Sequence, residues 1–253
     1  MVPAAFISLS CGGEPDGAAG TAQAASAVPG RQVALSFRGP NGRPLNYLLH
    51  LPRAYREGGR RWPVLLYLHG ADLLGSGERG LRRLRRQGIP KVVDRRAEFP
   101  FIAVSPQTST DWVPARLIAL LDEIERRYAV DRRRVYATGF SLGGYGVWDL
   151  ASAQPRRFAA IVPIAGGPSG RRAGCRLRTV ALWAFHGTAD DVVPASESRA
   201  MVRGMRRCAG KARLTLYPRA GHFIAERTYA NPALYSWLAA HSRRAGGSGA
   251  PPQ

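Results

Sequence analysis

Arg134-Val135-Tyr136-Ala137-Thr138, followed at once by Gly139-Phe140-Ser141-Leu142-Gly143-Gly144, is the stretch that decides the fold. The first five residues have the β-branched and aromatic content of a strand, and the residues after Ser141 run into a helical pattern. Between the two lies a G-x-S-x-G match. Chance alone supplies roughly 0.2 such matches in a chain with 29 Gly, so the pattern by itself carries little weight. Its setting carries more. A serine on a sharp strand-to-helix turn exposes Oγ at the C-terminal edge of a sheet, and the strained backbone of that turn tolerates only small neighbours. Gly139, Gly143 and Gly144 meet that steric demand.

On either side of this turn short apolar runs alternate with helical patterns. Strands are expected at Gln32–Arg38, Leu45–Leu51, Val64–His69, Phe101–Ser105, Arg134–Thr138, Ala160–Ile164, Val180–Phe185 and Arg213–Tyr217. The later ones are near-continuous apolar runs, as strands buried on both faces require. From Pro114 to Tyr128, the apolar residues Leu117, Leu120, Leu121, Ile124 and Tyr128 recur at helical spacing behind an N-terminal proline. Further helices are expected after Ser141, over Ser196 to Arg207 and over Pro232 to Ala240. Alternating strands and helices imply an α/β fold with a mainly parallel sheet covered on both faces. The two opening strands, joined by Gly39-Pro40-Asn41-Gly42, read as an antiparallel hairpin at the sheet edge. Neither an internal repeat nor a second domain is visible.

A serine hydroxyl is a poor nucleophile near neutral pH and needs a base, which in turn needs an orienting carboxylate. In this fold the chain order is Ser, acid, His. Of five histidines only His222 and His241 follow Ser141, and His241 lies towards the C-terminal tail. His222 sits in Ala220-Gly221-His222, a short glycine-containing loop after the last expected strand. The carboxylates between Ser141 and His222 are Asp149, Asp190, Asp191 and Glu197. Asp149 falls eight residues down the helix after Ser141 and Glu197 falls on the next helix. Asp190 and Asp191 follow a strand at the right edge of the sheet, and position alone does not separate them. A tetrahedral intermediate also needs backbone N–H donors. One is expected from Leu142, the residue after the nucleophile, and one from the loop His69-Gly70-Ala71. His69 and His186 each end a strand before a glycine, which points to a loop-shaping role.

Leu68-His69-Gly70-Ala71, Gly77-Glu78-Arg79-Gly80, Ser105-Pro106-Gln107, Thr138 to Trp148, His186 to Pro194 and Gly221-His222 together resemble, in order, one branch of the α/β-hydrolases. That branch holds predicted peptidases and phospholipase/carboxylesterase-like proteins and is related to polyhydroxybutyrate depolymerases and feruloyl esterases. The resemblance covers roughly residues 31–240. It implies an α/β-hydrolase fold and a serine hydrolase that cleaves small carboxylic esters through an acyl-enzyme, without cofactor or metal. In the family's H-G-x-x-D-x-x-V-P pattern the acid is Asp190. Ala71 takes the place of the second oxyanion donor, although this chain inserts residues around Leu73-Leu74-Gly75-Ser76 between the H-G and G-E-R-G segments. After His222 comes Phe223-Ile224-Ala225 in place of the family's polar residue and Trp. A serine peptidase of the prolyl-oligopeptidase type is the alternative reading, and a non-catalytic basic binding protein on the same fold a second alternative.

The 253 residues suffice for one large domain with a sizeable core. No run approaches the 18 or so consecutive apolar residues of a membrane helix. Three cysteines, at 11, 175 and 208, lack metal-ligand spacing. The net charge of +20 raises the question of nucleic acid. Its source is almost all arginine, scattered along the chain, and the densest run, Arg82 to Arg86, has no aromatics interleaved for single-strand binding. A solvated basic surface is expected, with no specific nucleic-acid partner. Residues 1–30 are expected to be a flexible segment, in which Phe6 to Gly13 resembles the end of a lipoprotein signal with Cys11 as the candidate lipid-anchored residue. Residues 31–244 are expected to make up the catalytic domain and 245–253 a disordered tail. Export from a bacterium, to the periplasm or beyond, is therefore expected, with a cytoplasmic enzyme as the alternative. Cys11 aside, an even pair remains. The helix ending at Arg207 returns Cys208 to the sheet edge where Cys175 precedes its strand, so the two are expected to form a disulfide.

Overall fold

The computed structural model describes residues 27–39, 42–96, 98–168 and 175–243. Its strands are β1 (Gln32–Arg38), β2 (Pro44–His50), β3 (Trp62–Leu68), β4 (Ile102–Pro106), β5 (Val130–Phe140), β6 (Ala160–Ile164), β7 (Ala181–Gly187) and β8 (Ala212–Tyr217). The α-helices are α1 (Gly77–Leu84), α2 (Gly88–Arg95), α3 (Pro114–Arg127), α4 (Leu142–Ala153), α5 (Ala195–Arg207), α6 (Ala225–Tyr229) and α7 (Pro232–Ala239). One sheet results, in the order β1-β2-β4-β3-β5-β6-β7-β8. β1 and β2 pair antiparallel, β2 joins β4 antiparallel, and the other pairings are parallel. This is the expected α/β-hydrolase architecture, with the hairpin at one edge.

The two faces of the sheet divide the core by the period-two alternation of strand side chains. Every residue of β3 is buried. Val64, Leu66 and Leu68 face a cluster with Leu117, Leu121 and Ile124 of α3, Trp148 of α4 and Met205 of α5. Leu65 and Tyr67 face the other cluster, with Leu84 of α1, Ile89 of α2, Tyr229 of α6 and Leu238 of α7. Burying each such side chain stabilises the fold by about 1.5–3 kcal/mol. The helical spacing of Leu117, Leu120, Leu121 and Ile124 therefore docks α3 on one face and leaves its arginines outside.

The strand order also places the site. β3 is followed by β4 on one side of it and by β5 on the other, so the winding reverses between β3 and β5. Open parallel sheets bind ligands at such a reversal, beyond the strand C-termini. Leu68 pairs with Gly139 across β3 and β5. The loop after His69 and the turn at Ser141 consequently leave the sheet side by side.

Three differences from the sequence expectation stand out. β5 begins at Val130, because Val130 pairs with Trp62 and carries the polar run Asp131–Arg134 into the strand across a register shift. α1, α2 and α6 arise from stretches whose few apolar residues, such as Leu81 and Leu84 in an arginine-rich segment, gave weak periodicity. A one-turn 3₁₀ helix, Ala71–Leu73, follows the His69-Gly70 pair. Cys175 opens another such turn before β7 and Cys208 caps α5, and the two form a disulfide with Cα atoms 5.0 Å apart. Among the described residues no helix is long and apolar enough to cross a membrane. Cys11, most of the 1–30 segment, Pro40-Asn41 of the hairpin turn and the 245–253 tail lie outside the described residues.

Candidate active site

Ser141 is the N-cap of α4 with φ 54° and ψ −116°, in the sparsely populated half of backbone space for a residue with a Cβ. Such a conformation costs of order 1–3 kcal/mol and persists only where the surroundings over-determine it. Here they do. Ser141 N–H donates to Ile164 O at 2.9 Å and Tyr145 N–H donates to Ser141 O at 3.1 Å. A Cβ on Gly143 would stand 2.0 Å from Leu68 O, and one on Gly139 would stand 2.3 Å from Gly143 O. The turn is thus so close to β3 that only glycine fits on either side of the serine.

β7 and β8 deliver the other two groups. A Cβ on Gly187 would lie 2.3 Å from both Ala220 O and Gly221 O, so the loop after β8 rests directly on the end of β7. Thr188 N–H donates to Tyr217 O, Ala189 N–H to Ala220 O and Arg219 N–H to Thr188 Oγ1. These bonds stitch the two loops together and set His222 between Ser141 and Asp190. His222 Nδ1 lies 2.8 Å from Asp190 Oδ2, and His222 Nε2 lies 2.9 Å from Ser141 Oγ. The carboxylate only accepts, so Nδ1 carries the ring proton and Nε2 faces the hydroxyl with its lone pair. Burial alone would push the Asp190 carboxyl up. The bond from His222 and the N–H groups of Val193 and Val192 outweigh that, holding it below the usual carboxylate range.

Asp190 and Asp191, inseparable by position, differ in space. Asp190 Oδ1 accepts from Val192 N–H at 3.0 Å and Val193 N–H at 2.8 Å, and its side chain has no exposed surface. Asp191 is exposed. Of the remaining carboxylates, Asp149 stands two turns along α4, and Glu197 lies in the first turn of α5 against Gly167.

Leu142 and Ala71 each open a helical turn, where the first N–H groups have no acceptor within the turn. The inserted residues around Leu73–Ser76 are held by Gln107, whose amide donates to Leu73 O at 2.8 Å and Gly75 O at 3.2 Å. His69 shapes the same loop. Its buried ring accepts from Thr108 N–H through Nε2 at 3.2 Å and donates to Gly70 O through Nδ1 at 2.8 Å, while Trp112 Nε1 donates to His69 O at 3.1 Å. Burial, partly opposed by the Gly70 bond, lowers the His69 pKa and keeps that neutral form. His186, likewise expected to shape a loop, touches Asp190 as well: its Nε2 is 3.2 Å from Asp190 Oδ2. Sequence reasoning assigned no role to Gln107 or Trp112, whose loop-holding bonds to Leu73 O, Gly75 O and His69 O reach main-chain groups more than 30 residues away. Phe223, in place of a polar residue, is 79% exposed and packs edge-on to His222 at 5.5 Å.

The fold and this site define an α/β-hydrolase. The chain belongs to the dienelactone hydrolase family, whose model matches residues 84–242. It is 30% identical over 132 residues to the bifunctional acetylxylan esterase/xylanase XynS20E of Neocallimastix patriciarum, covering 51% of this chain and 18% of that protein. It is 27% identical over 183 residues to the probable feruloyl esterase C of Aspergillus terreus, covering 69% of this chain and 65% of the relative. The chain therefore spans less than two thirds of the length of either. Among solved structures, a thermostable esterase superposes with a TM-score of 0.70 at 28% identity, covering 84% of this chain and 63% of that one. An acylaminoacyl peptidase of Pyrococcus horikoshii shares the fold, with a TM-score of 0.62 at 13% identity over 86% of this chain and 43% of that one.

Proposed function

We propose that this protein hydrolyses small carboxylic esters through an acyl-enzyme, with Ser141 as nucleophile, His222 as general base and acid, and Asp190 as the orienting carboxylate. The observation that carries the reading is the unbroken line of bonds from Asp190 Oδ2 through His222 to Ser141 Oγ. In the first half-reaction Oγ attacks the ester carbonyl carbon while His222 Nε2 takes the hydroxyl proton. The carbonyl π pair moves to oxygen, which the Leu142 and Ala71 N–H groups stabilise. The pair then returns, the C–O bond to the alcohol breaks, and His222 gives its proton to the leaving alkoxide. In the second half, water repeats the attack on the acyl-serine with His222 as base, releasing the acid and restoring Ser141.

The named esterase relatives support ester substrates over peptides. The Cys175–Cys208 bridge supports work outside the reducing cytosol. A panel of p-nitrophenyl esters of graded acyl length, beside a peptide p-nitroanilide, tests the reading. Hydrolysis of the esters with little turnover of the anilide is expected. Turnover of the anilide at a comparable rate would replace the esterase reading with a peptidase one.

A further inference from the structure

Four large apolar side chains are exposed among the described residues, Val28, Val113, Val192 and Phe223, and three of them follow strands β4, β7 and β8 at the sheet edge that carries Ser141. Scattered singly, such residues need no explanation. Gathered at one edge they do, and Phe223, the aromatic one, is also the most exposed at 79%. Its backbone is held on both sides. Ile224 N–H donates to His222 O at 2.8 Å, closing a three-residue turn with Phe223 at its tip, and Ile224 O accepts from Thr228 N–H at 3.0 Å and from Thr228 Oγ1 at 2.9 Å. Both chain neighbours of Phe223, His222 and Ile224, are buried. The fold thus holds a phenyl ring out in solvent next to the histidine that faces Ser141 Oγ.

Three rings meet there. The His222 centroid lies 4.9 Å from that of Phe140 and 5.5 Å from that of Phe223, and the two phenyl centroids are 6.2 Å apart. Phe140 is buried, and a Cβ on Gly70 would stand 3.1 Å from its Cδ1, so its ring runs between the His69-Gly70 loop and His222. Packing of the imidazole is met from that buried side, while the surface of Phe223 stays free. In acyl transfer the leaving oxygen must come within about 2.6–3.2 Å of the base nitrogen to receive its proton. The group carried by that oxygen therefore starts alongside the His222 ring, where the exposed ring is that of Phe223. We propose that Phe223 is a specificity-determining residue that packs against the leaving alcohol, selecting esters of apolar alcohols, flat aromatic ones above all, over esters of small alcohols such as methanol. The proposal rests on the Ser141–His222 esterase reading above and narrows it. An aromatic alcohol meets the ring in offset or edge-to-face packing. The alcohol is present in the acylation transition state and gone from the acyl-enzyme, so the contact enters kcat/KM.

Methyl, butyl and benzyl acetate test this, with kcat/KM measured for the full chain and for Phe223→Ala, beside the p-nitrophenyl esters of acetate and butanoate. The intrinsic reactivity of each ester cancels when the variant is referred to the parent. The benzyl-to-methyl ratio is expected to fall about tenfold in Phe223→Ala, and the butyl-to-methyl ratio by less. The butanoate-to-acetate ratio is expected to move far less than either. Equal losses on methyl and benzyl acetate are what a mere prop for His222 gives, and they overturn the proposal. An acyl ratio that moves as far as the alcohol ratio sets Phe223 against the acyl group and overturns it too. Phe223→Tyr keeps the ring and is expected to keep most of the benzyl preference, whereas a loss as large as in Phe223→Ala is contrary to the proposal. Failure of the underlying esterase reading is distinguishable, because it appears as undiminished turnover in Ser141→Ala whatever stands at position 223.

Discussion

His222 Nδ1 lies 2.8 Å from Asp190 Oδ2, a carboxylate with no exposed surface, while the adjacent Asp191 points to solvent. Asp190→Asn leaves a side chain of the same shape that can offer His222 an N–H in place of an acceptor, which favours the wrong tautomer. A loss in kcat of about 10⁴-fold is expected. Asp191→Asn should change kcat little. Steady-state kinetics on one ester with both variants checks this, and the reverse ranking would contradict the assignment of the acid.

Gly143 is fixed by contact with β3. A methyl group there would lie 2.0 Å from Leu68 O, which belongs to the sheet backbone and has no room to retreat. Gly143→Ala is therefore expected to open the turn at Ser141, cutting activity severely and lowering the thermal midpoint by several degrees. Circular dichroism melts beside ester assays would show it, and a variant with unchanged Tm and kcat would contradict the close approach.

The fold was legible in the sequence wherever burial is two-sided. The apolar runs at Ala160–Ile164 and Val64–Leu66 could only be central strands, and all eight expected strands are present. Asp131–Arg133 was illegible because its polar side chains carry no strand signal: it bridges the Trp62–Val130 and Val64–Val135 pairings across a register shift. Ser141 and His222, the proposed nucleophile and base, were singled out by chain order and small-residue spacing, and they stand 2.9 Å apart. Position along the sheet edge could not separate Asp190 from Asp191, because the choice depends on how the loop folds back to place the Val192 and Val193 N–H groups on one carboxylate. Gln107 was quoted only as part of the Ser105-Pro106-Gln107 segment, and its hold on Leu73 O, like the Asp190 contact of His186, exists only once separate segments are packed together.

His50 predicts a pH dependence of stability. Its ring is buried edge-on to Phe99, Nε2 has no hydrogen-bond partner among the described residues, and burial lowers its pKa to about 4. An unfolded histidine takes its proton near 6.5. Between these values the unfolded state binds the extra proton, so the contribution of His50 is fully present above pH 6.5 and is lost as pH falls towards 4. His69, lowered chiefly by burial, adds a slope of the same sign. Urea titrations from pH 4 to 7 should show a shallower loss of stability in His50→Gln than in the parent. Parallel curves would contradict a neutral buried His50.

The Cys175–Cys208 bridge closes a loop with a sequence separation of 33. The chain-entropy model gives about 3–4 kcal/mol for such a loop. Replacing both cysteines with serine should lower stability by up to that amount while leaving kcat nearly unchanged, since the bridge ties the 3₁₀ turn before β7 to the end of α5, at the edge opposite Ser141. Thiol counting on the denatured, unreduced protein should find neither residue free.

Ser141 and His222 are proposed to act as one unit, and a double-mutant comparison decides whether they do. Ester hydrolysis by Ser141→Ala, by His222→Ala and by the double variant should be measured on folded protein of equal Tm. Each single change is expected to lower kcat by about 10⁴-fold or more, and the double variant to be little worse than either. Losses that multiply in the double variant, or a Ser141→Ala protein that still turns over ester, would contradict the account.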